Sequence, residues 1–310
     1  MLAKHPYGAP QATKLQSIVT SSYRGRLAPS PTGYLHLGHA RTFWLAHRRA
    51  RSADGQLVFR NEDLDFQRCK PQFVDAMYED LCWLGLDWDE GPDVGGPFGP
   101  YSQSQRQEFY LANWRKLRDG GFIYPCTCSR KDLERALAAP HEDDDETPYP
   151  GTCREKLASA CDWDSPAGVS WRFKVPDGKT IGFHDLSFGS QQFIAGRDFA
   201  DFLVWRRDDV PAYQLAVVVD DHAMQISEAV RGADLLKSTA RQLLLFAALG
   251  HTPPRYLHCP LMRDENNVRL AKRHDALSLR TLRSQGVLAG ELRKKFAEDL
   301  ASIRELTPGL

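Results

Sequence analysis

Apolar positions along the chain follow two rhythms, and their order sketches an α/β protein. Arg24 to Ala28 predicts a short strand leading into the turn Pro29-Ser30-Pro31-Thr32-Gly33. From about Leu37 to Ala50 apolar residues recur at helical spacing, with Ala40, Phe43, Trp44 and His47 on the inner face. Gln56 to Arg60 predicts a second strand, which ends in the polar cluster Asn61-Glu62-Asp63-Leu64-Asp65. Strand, turn, helix, strand is the grammar of a doubly wound parallel sheet. Ligands of such sheets sit beyond the carboxyl ends of the strands, where both the Pro-rich turn and the Glu62 cluster fall.

Further along, Phe73 to Leu84 and Arg106 to Arg118 predict helices, closed by Gly85 and by Gly120 and Gly121. Asp89 to Pro100, rich in Gly and Pro, predicts a loop. Between Tyr124 and about Arg207 the pattern turns to cysteines, turns and short alternating strands such as Ser170 to Val175, as expected of an inserted subdomain. Parallel-sheet character returns at Tyr213 to Asp221, read as a strand. A helix from Lys237 to Leu249, capped by Gly250, and a last strand from Tyr256 to Cys259 follow. The expected division is a tail over 1–22, the two halves of the nucleotide-binding sheet over 23–123 and 208–262, the insert over 124–207 and a basic helical tail over 263–310.

Composition narrows the class without naming it. With 26% charged and 42% hydrophobic residues in 310, the chain fits an ordinary soluble globular protein. Lys+Arg and Asp+Glu both number 40, so a polyanionic partner must be met by a local patch. The segment 263–297 supplies one, with nine Lys/Arg against four Asp/Glu. The acidic run Glu142 to Glu146 reads as a solvated loop. No apolar run is long enough for a bilayer and the first residues lack a secretory pattern, so a cytoplasmic monomer is expected. Seven scattered cysteines argue for reduced thiols rather than a disulfide framework.

The strongest chemical signal is His36-Leu37-Gly38-His39 at the start of the first helix. Two imidazoles three residues apart share a helix face, beside a helix N-terminus that favours a polyphosphate. Gly38 lets a nucleotide approach the backbone. A second basic loop, Arg269-Leu270-Ala271-Lys272-Arg273, follows the last predicted strand. Its lysine could neutralise a departing pyrophosphate. Taken singly, the turn also fits two structural histidines and the loop also fits a solvated surface.

Together these blocks carry a resemblance. Arg26 to Gly33 followed by His36 to Arg41 resembles the first signature of the glutamyl-tRNA synthetases, a class I aminoacyl-tRNA synthetase family. Arg60 to Asp65, Val217 to His222, Arg231 to Asp234 and Arg269 to Arg273 match its later blocks in order. The resemblance implies a Rossmann-type fold and activation of L-glutamate by ATP with Mg²⁺. It implies catalytic roles for His36, His39 and Lys272, and ATP contacts from Gly38 and Leu270. It places Arg26, Leu27, Ala28, Pro29, Ser30, Glu62, Tyr213 and Arg231 around glutamate. Guanidinium forks suit its carboxylates and Glu62 its ammonium. The residues alone leave open a purely structural Glu62–Arg231 pair. Ala271 and Arg273 depart from the family's usual lysine loop, where both positions are serine.

Cys126-Thr127-Cys128 and Cys153 could be three ligands of a tetrahedral ion, or merely buried thiols. The resemblance supplies the fourth: the family carries a tyrosine four residues before its last cysteine, and Tyr149 matches, implying one structural Zn²⁺. Cys69, Cys82, Cys161 and Cys259 read as core or incidental. Only 37 residues follow Arg273, which is short for the family's anticodon-reading helical domain. That length resembles a truncated branch of the family whose acceptor is the queuosine base at the wobble position of tRNA(Asp). The alternative is a catalytic fragment that charges the 3′ end of tRNA(Glu).

Overall fold

The computed structural model describes residues 23–129, 149–262 and 278–301. Strand β1 (Arg24–Leu27) runs parallel to β2 (Gln56–Phe59), and helix α1 (Leu37–Ser52) makes the crossover between them. Leu37, Ala40, Trp44 and Leu45 recur at helical spacing, so one stripe of α1 is buried. That stripe meets Leu27, Leu57 and Phe59 from the two strands. No side chain caps the N-terminus of α1, and its first turn holds no acidic residue. Its end therefore presents uncompensated positive character.

Helices α2 (Pro71–Trp83) and α3 (Gln107–Asp119) form within a few residues of their expected bounds. Proline at the first turn of α2 costs nothing, since that N–H lacks a helical acceptor in any case. Three antiparallel strands, β3 (Ile123–Cys126), β4 (Ser170–Phe173) and β7 (Phe202–Trp205), make a separate sheet in the order β3-β4-β7. The hairpin β5 (Thr180–Asp185) and β6 (Gly189–Ile194) instead joins the parallel strands β9 (Arg255–Cys259) and β8 (Glu228–Gly232), in the order β6-β5-β9-β8. The backbone N–H of Ser227, just before β8, donates to Arg24 O at 2.9 Å and sets β8 beside β1. The protein is thus a mixed α/β fold whose parallel strands converge near β1 and β8.

One expected strand is a helix. Tyr213–Ala223 forms α4, followed by α5 (Leu236–Leu249), which Gly250 ends in the left-handed conformation at φ 71°. A short continuous apolar run cannot by itself distinguish a buried strand from a buried helix. Gln214 through Asp221 are all buried, because α3, α5 and β7 pack around α4 on several sides. That envelopment erased the amphipathic stripe. The parallel strands in this half are the expected β9 and β8, a segment the hydropathy pattern left unassigned.

Two cores result. One joins α1, β1, β2 and the C-terminal helix α7 (Ala289–Leu300), where Phe296 meets Trp44 at 6.1 Å between ring centroids. The other joins α3, α4, α5 and the β3-β4-β7 sheet, with Trp114 edge-on to Trp171 at 4.8 Å. The short helix α6 (Leu279–Ser284) precedes α7.

Candidate functional site

Extended backbone carries β1 and β2 onward past their formal ends. Arg60 N–H donates to Leu27 O at 2.8 Å, and Glu62 N–H to Pro29 O at 3.0 Å. The Pro-rich turn and the Glu62 cluster are therefore locked side by side where the strands finish. Between them lies a dense set of buried charges. The wholly buried Arg60 guanidinium reaches Asp221 at 2.7 Å and Glu62 at 3.0 Å, with Asp220 at 3.9 Å. Arg106 pairs with Asp220 at 2.6 Å, and Gln103 and Tyr110 also donate to it. Burial pushes Glu62 up, above the ordinary carboxylate range, despite Arg60 and Arg26. Burial pushes Asp221 up too, but there Arg60 and Arg26 prevail and hold it low.

Arg26, buried at the same strand end, donates from Nη1 to Val230 O at 2.7 Å. Its Nε lies 3.5 Å from Asp221 and has no hydrogen-bond partner. Arg231 at the end of β8 is also buried, and its hydrogen bonds run to neutral acceptors: Gln242 at 2.7 Å, Thr239 at 2.6 Å and His258 at 3.2 Å. Tyr213, first residue of α4 and 39% exposed, lies within electrostatic reach of Arg231, Glu62 and Arg26. The fold therefore brings Arg26, Glu62, Tyr213 and Arg231 together. It does not pair Glu62 with Arg231, because Glu62 turns to Arg60. Ala28, Pro29 and Ser30 lie in the turn beside them, whereas the side chain of Leu27 is sealed in the core.

Across the turn is a cleft of about 440 Å³, lined by Thr32, Tyr34, His36, His39, Ser278 and Thr281 among others. The imidazoles of His36 and His39 stand 6.0 Å apart. A Cβ on Gly38 would meet nothing within 4 Å, so the backbone there can be approached closely. Leu270 and Lys272, with Ala271 and Arg273, lie outside the described residues. The chain on their far side returns to this cleft. Ser278 bridges His36 in antiparallel fashion, and Leu279 N–H donates to Leu35 O at 2.7 Å.

The cysteine motif also assembles. Cys126, Cys128 and Cys153 bring their sulfurs within 4.8 Å of one another, and such a group could hold a metal ion. Cys128 and Cys153 sulfurs are 3.7 Å apart, and the Tyr149 hydroxyl lies 3.5 Å from Cys126 and 3.8 Å from Cys128. Tetrahedral zinc with usual bond lengths needs edges of about 3.8 Å between sulfurs and about 3.5 Å from sulfur to oxygen. The donor set fits. Burial pushes Cys153 up, but donors from Thr127, Tyr149 and Cys128 outweigh it and favour the thiolate. All seven cysteines are free thiols; Cys82 and Cys161 are exposed, Cys69 is half-buried and Cys259 lies in the core.

The sequence pattern gave no role to Arg60, Asp220, Asp221, Gln242 or His258. Their signal was charge inside apolar context. Asp220 and Asp221 end a valine run, and His258 sits within the last strand.

A parallel sheet with an imidazole-bearing helix end on one side and a buried guanidinium–carboxylate pocket on the other defines a nucleotide-binding catalytic domain of class I type. The chain belongs to the class I tRNA synthetases: residues 22–297 match the model for the catalytic domain of the E and Q group. It is 48% identical to the glutamyl-Q tRNA(Asp) synthetase of Nitratidesulfovibrio vulgaris, over 92% of this chain and 88% of that one. It is 49% identical to the protein of the same name from Symbiobacterium thermophilum, over 84% and 81%. Its fold matches the glutamate-tRNA synthetase of Elizabethkingia anophelis with a TM-score of 0.71 at 29% identity, over 82% of this chain and 53% of that one. Among the described residues no helix is long and apolar enough to cross a membrane.

Proposed function

We propose that this protein activates L-glutamate with ATP and transfers it to the queuosine base at the wobble position of tRNA(Asp). The observation that carries the glutamate reading is Arg231, a buried cation whose hydrogen-bond partners are all neutral, in a pocket where Tyr213 lies within electrostatic reach of both Arg231 and Glu62. A buried charge is costly unless it is paired. An anionic side chain would pair Arg231, and an ammonium would add a second cation to Glu62 beside Arg60. Arg26 and Tyr213 would complete the pocket with the backbone of Leu27 to Ser30. The choice of acceptor is supported by the two relatives at 48% and 49% identity that bear that name.

In the first step a glutamate α-carboxylate oxygen attacks the α-phosphorus of ATP, and the bond to the pyrophosphate oxygen breaks. His36, His39 and Lys272 stabilise the phosphate charge, and Mg²⁺ accompanies the nucleotide. In the second, a hydroxyl of the cyclopentene ring of queuosine attacks the adenylate carbonyl and AMP leaves. We assign Cys126, Cys128, Tyr149 and Cys153 as ligands of one structural Zn²⁺, which when bound crosslinks the insert we place at 124–207. The remaining divisions are kept as expected, with the basic segment 263–310 and the insert holding the RNA mainly through phosphates. The molecule acts as a cytoplasmic monomer.

Transfer of radiolabelled glutamate to tRNA(Asp) with and without queuosine, beside tRNA(Glu), tests this reading. Labelling confined to queuosine-containing tRNA(Asp) is expected. Labelling of the tRNA(Glu) 3′ end would assign the chain to the alternative acceptor.

A further inference from the structure

Behind Arg231 lies a second buried pair that neither the glutamate contacts nor the adenylation step uses. His258, in the middle of β9, places Nδ1 2.6 Å from Oδ2 of Asp185 at the end of β5, and both side chains are fully buried. Asp185 also accepts the backbone N–H groups of Ser187 and Phe188 at 2.9 Å, and that of His258 at 3.2 Å. A carboxylate so placed can only accept, so Nδ1 must carry the proton and Nε2 the lone pair. That lone pair faces Arg231 Nε at 3.2 Å and the Thr239 hydroxyl at 3.1 Å. Three neighbouring elements thus form a buried line: carboxylate, imidazole, guanidinium.

The order of these groups has an electrostatic consequence. A carboxylate in direct contact with Arg231 would fix its orientation and also spend its charge on an internal ion pair. A neutral imidazole fixes the orientation and leaves the charge for a ligand. Thr239 and Gln242 hold the other two nitrogens in the same neutral way. Burial and the nearby Arg231 both lower the affinity of His258 for a second proton, which would turn the acceptor into a repelling cation.

We propose that Asp185 and His258 are positioning residues that fix the imidazole tautomer so that Arg231 is aimed, with its charge unspent, at the carboxylate of the amino acid substrate. The proposal rests on Arg231 being the carboxylate fork of the glutamate pocket. Glutamate-dependent ATP–pyrophosphate exchange on the full chain without tRNA measures it, with thermal unfolding of each variant as the folding control. His258→Ala is expected to raise the KM for glutamate roughly 10- to 100-fold, with kcat and the KM for ATP within about threefold. His258→Gln, whose Oε1 can accept near the place of Nε2, is expected to recover most of that loss, and Asp185→Asn to fall between. Arg231→Gln separates the two levels of the argument. If it raises the KM for glutamate while His258→Ala, His258→Gln and Asp185→Asn do not, the positioning role is overturned and the pocket stands. If Arg231→Gln leaves that KM unchanged, the pocket reading fails and takes this inference with it. Should His258→Ala not fold, wild-type KM in both His258→Gln and Asp185→Asn, against a raised KM in Arg231→Gln, overturns the positioning role.

Discussion

Around Arg231 and Glu62 the working charges are buried and held by several residues each, whereas His36 and His39 line an open cleft with one imidazole exposed to solvent. The contrast suits the proposed reaction, in which one end takes the amino acid and the other the triphosphate. An amino acid must be told from others by a few atoms, which calls for desolvated groups that are costly to leave unpaired. A triphosphate is recognised by charge, for which a helix terminus is well suited. Buried, hydrogen-bonded charge is concentrated at the selective end, and openness at the end that would take the nucleotide.

The comparison can be broken most sharply at Arg60. Arg60→Ala takes the hydrogen-bonded cation away from buried Asp221 and Glu62, so a loss of about 3–5 kcal/mol is expected by denaturant unfolding. An equal substitution on the open side, His39→Asn, should leave that stability within about 0.5 kcal/mol. It should instead lower kcat for pyrophosphate exchange by roughly 10²- to 10³-fold, as for removal of a preorganised charge stabiliser. Similar stability losses at both positions would erase the distinction.

A milder effect is expected from chelation. Removing zinc should release about one metal equivalent, detected with a colorimetric dye, and lower the thermal midpoint, while adenylate formation persists in the folded fraction. The smallest effect concerns acid. The His258 proton affinity is depressed in the folded chain, so the unfolded state takes up the proton first, and stability should fall as pH drops below about 6.5. Glu62 acts in the opposite direction, because its raised value lets the folded state take up a proton first. Thermal midpoints between pH 7.5 and 5 should therefore decline less in His258→Gln than in the parent and more in Glu62→Gln.

The open end of the site was the more legible in the sequence. His36, Gly38 and His39 fall within four successive residues, and a local motif survives translation into structure without knowledge of partners. The pocket was legible only as individual residues. Its wiring depends on contacts such as Arg60–Asp221 and Arg106–Asp220, separated by 161 and 114 positions, which no local pattern encodes. The same non-locality explains the helix at Tyr213–Ala223. Asp220 and Asp221 are buried there because Arg60 and Arg106 arrive from elsewhere to receive them. A structural Glu62–Arg231 pair, which the residues alone left open, does not form for the same reason, since a closer guanidinium two residues away claims Glu62.

The stitch between Ser278 and His36 has a mechanical corollary. Where the described chain resumes after Met262, it does so at Ser278, against the very turn that bears the first imidazole. Any displacement of that turn is thereby handed on to Ser278 and the start of α6, so the first imidazole and this helix shift as one body.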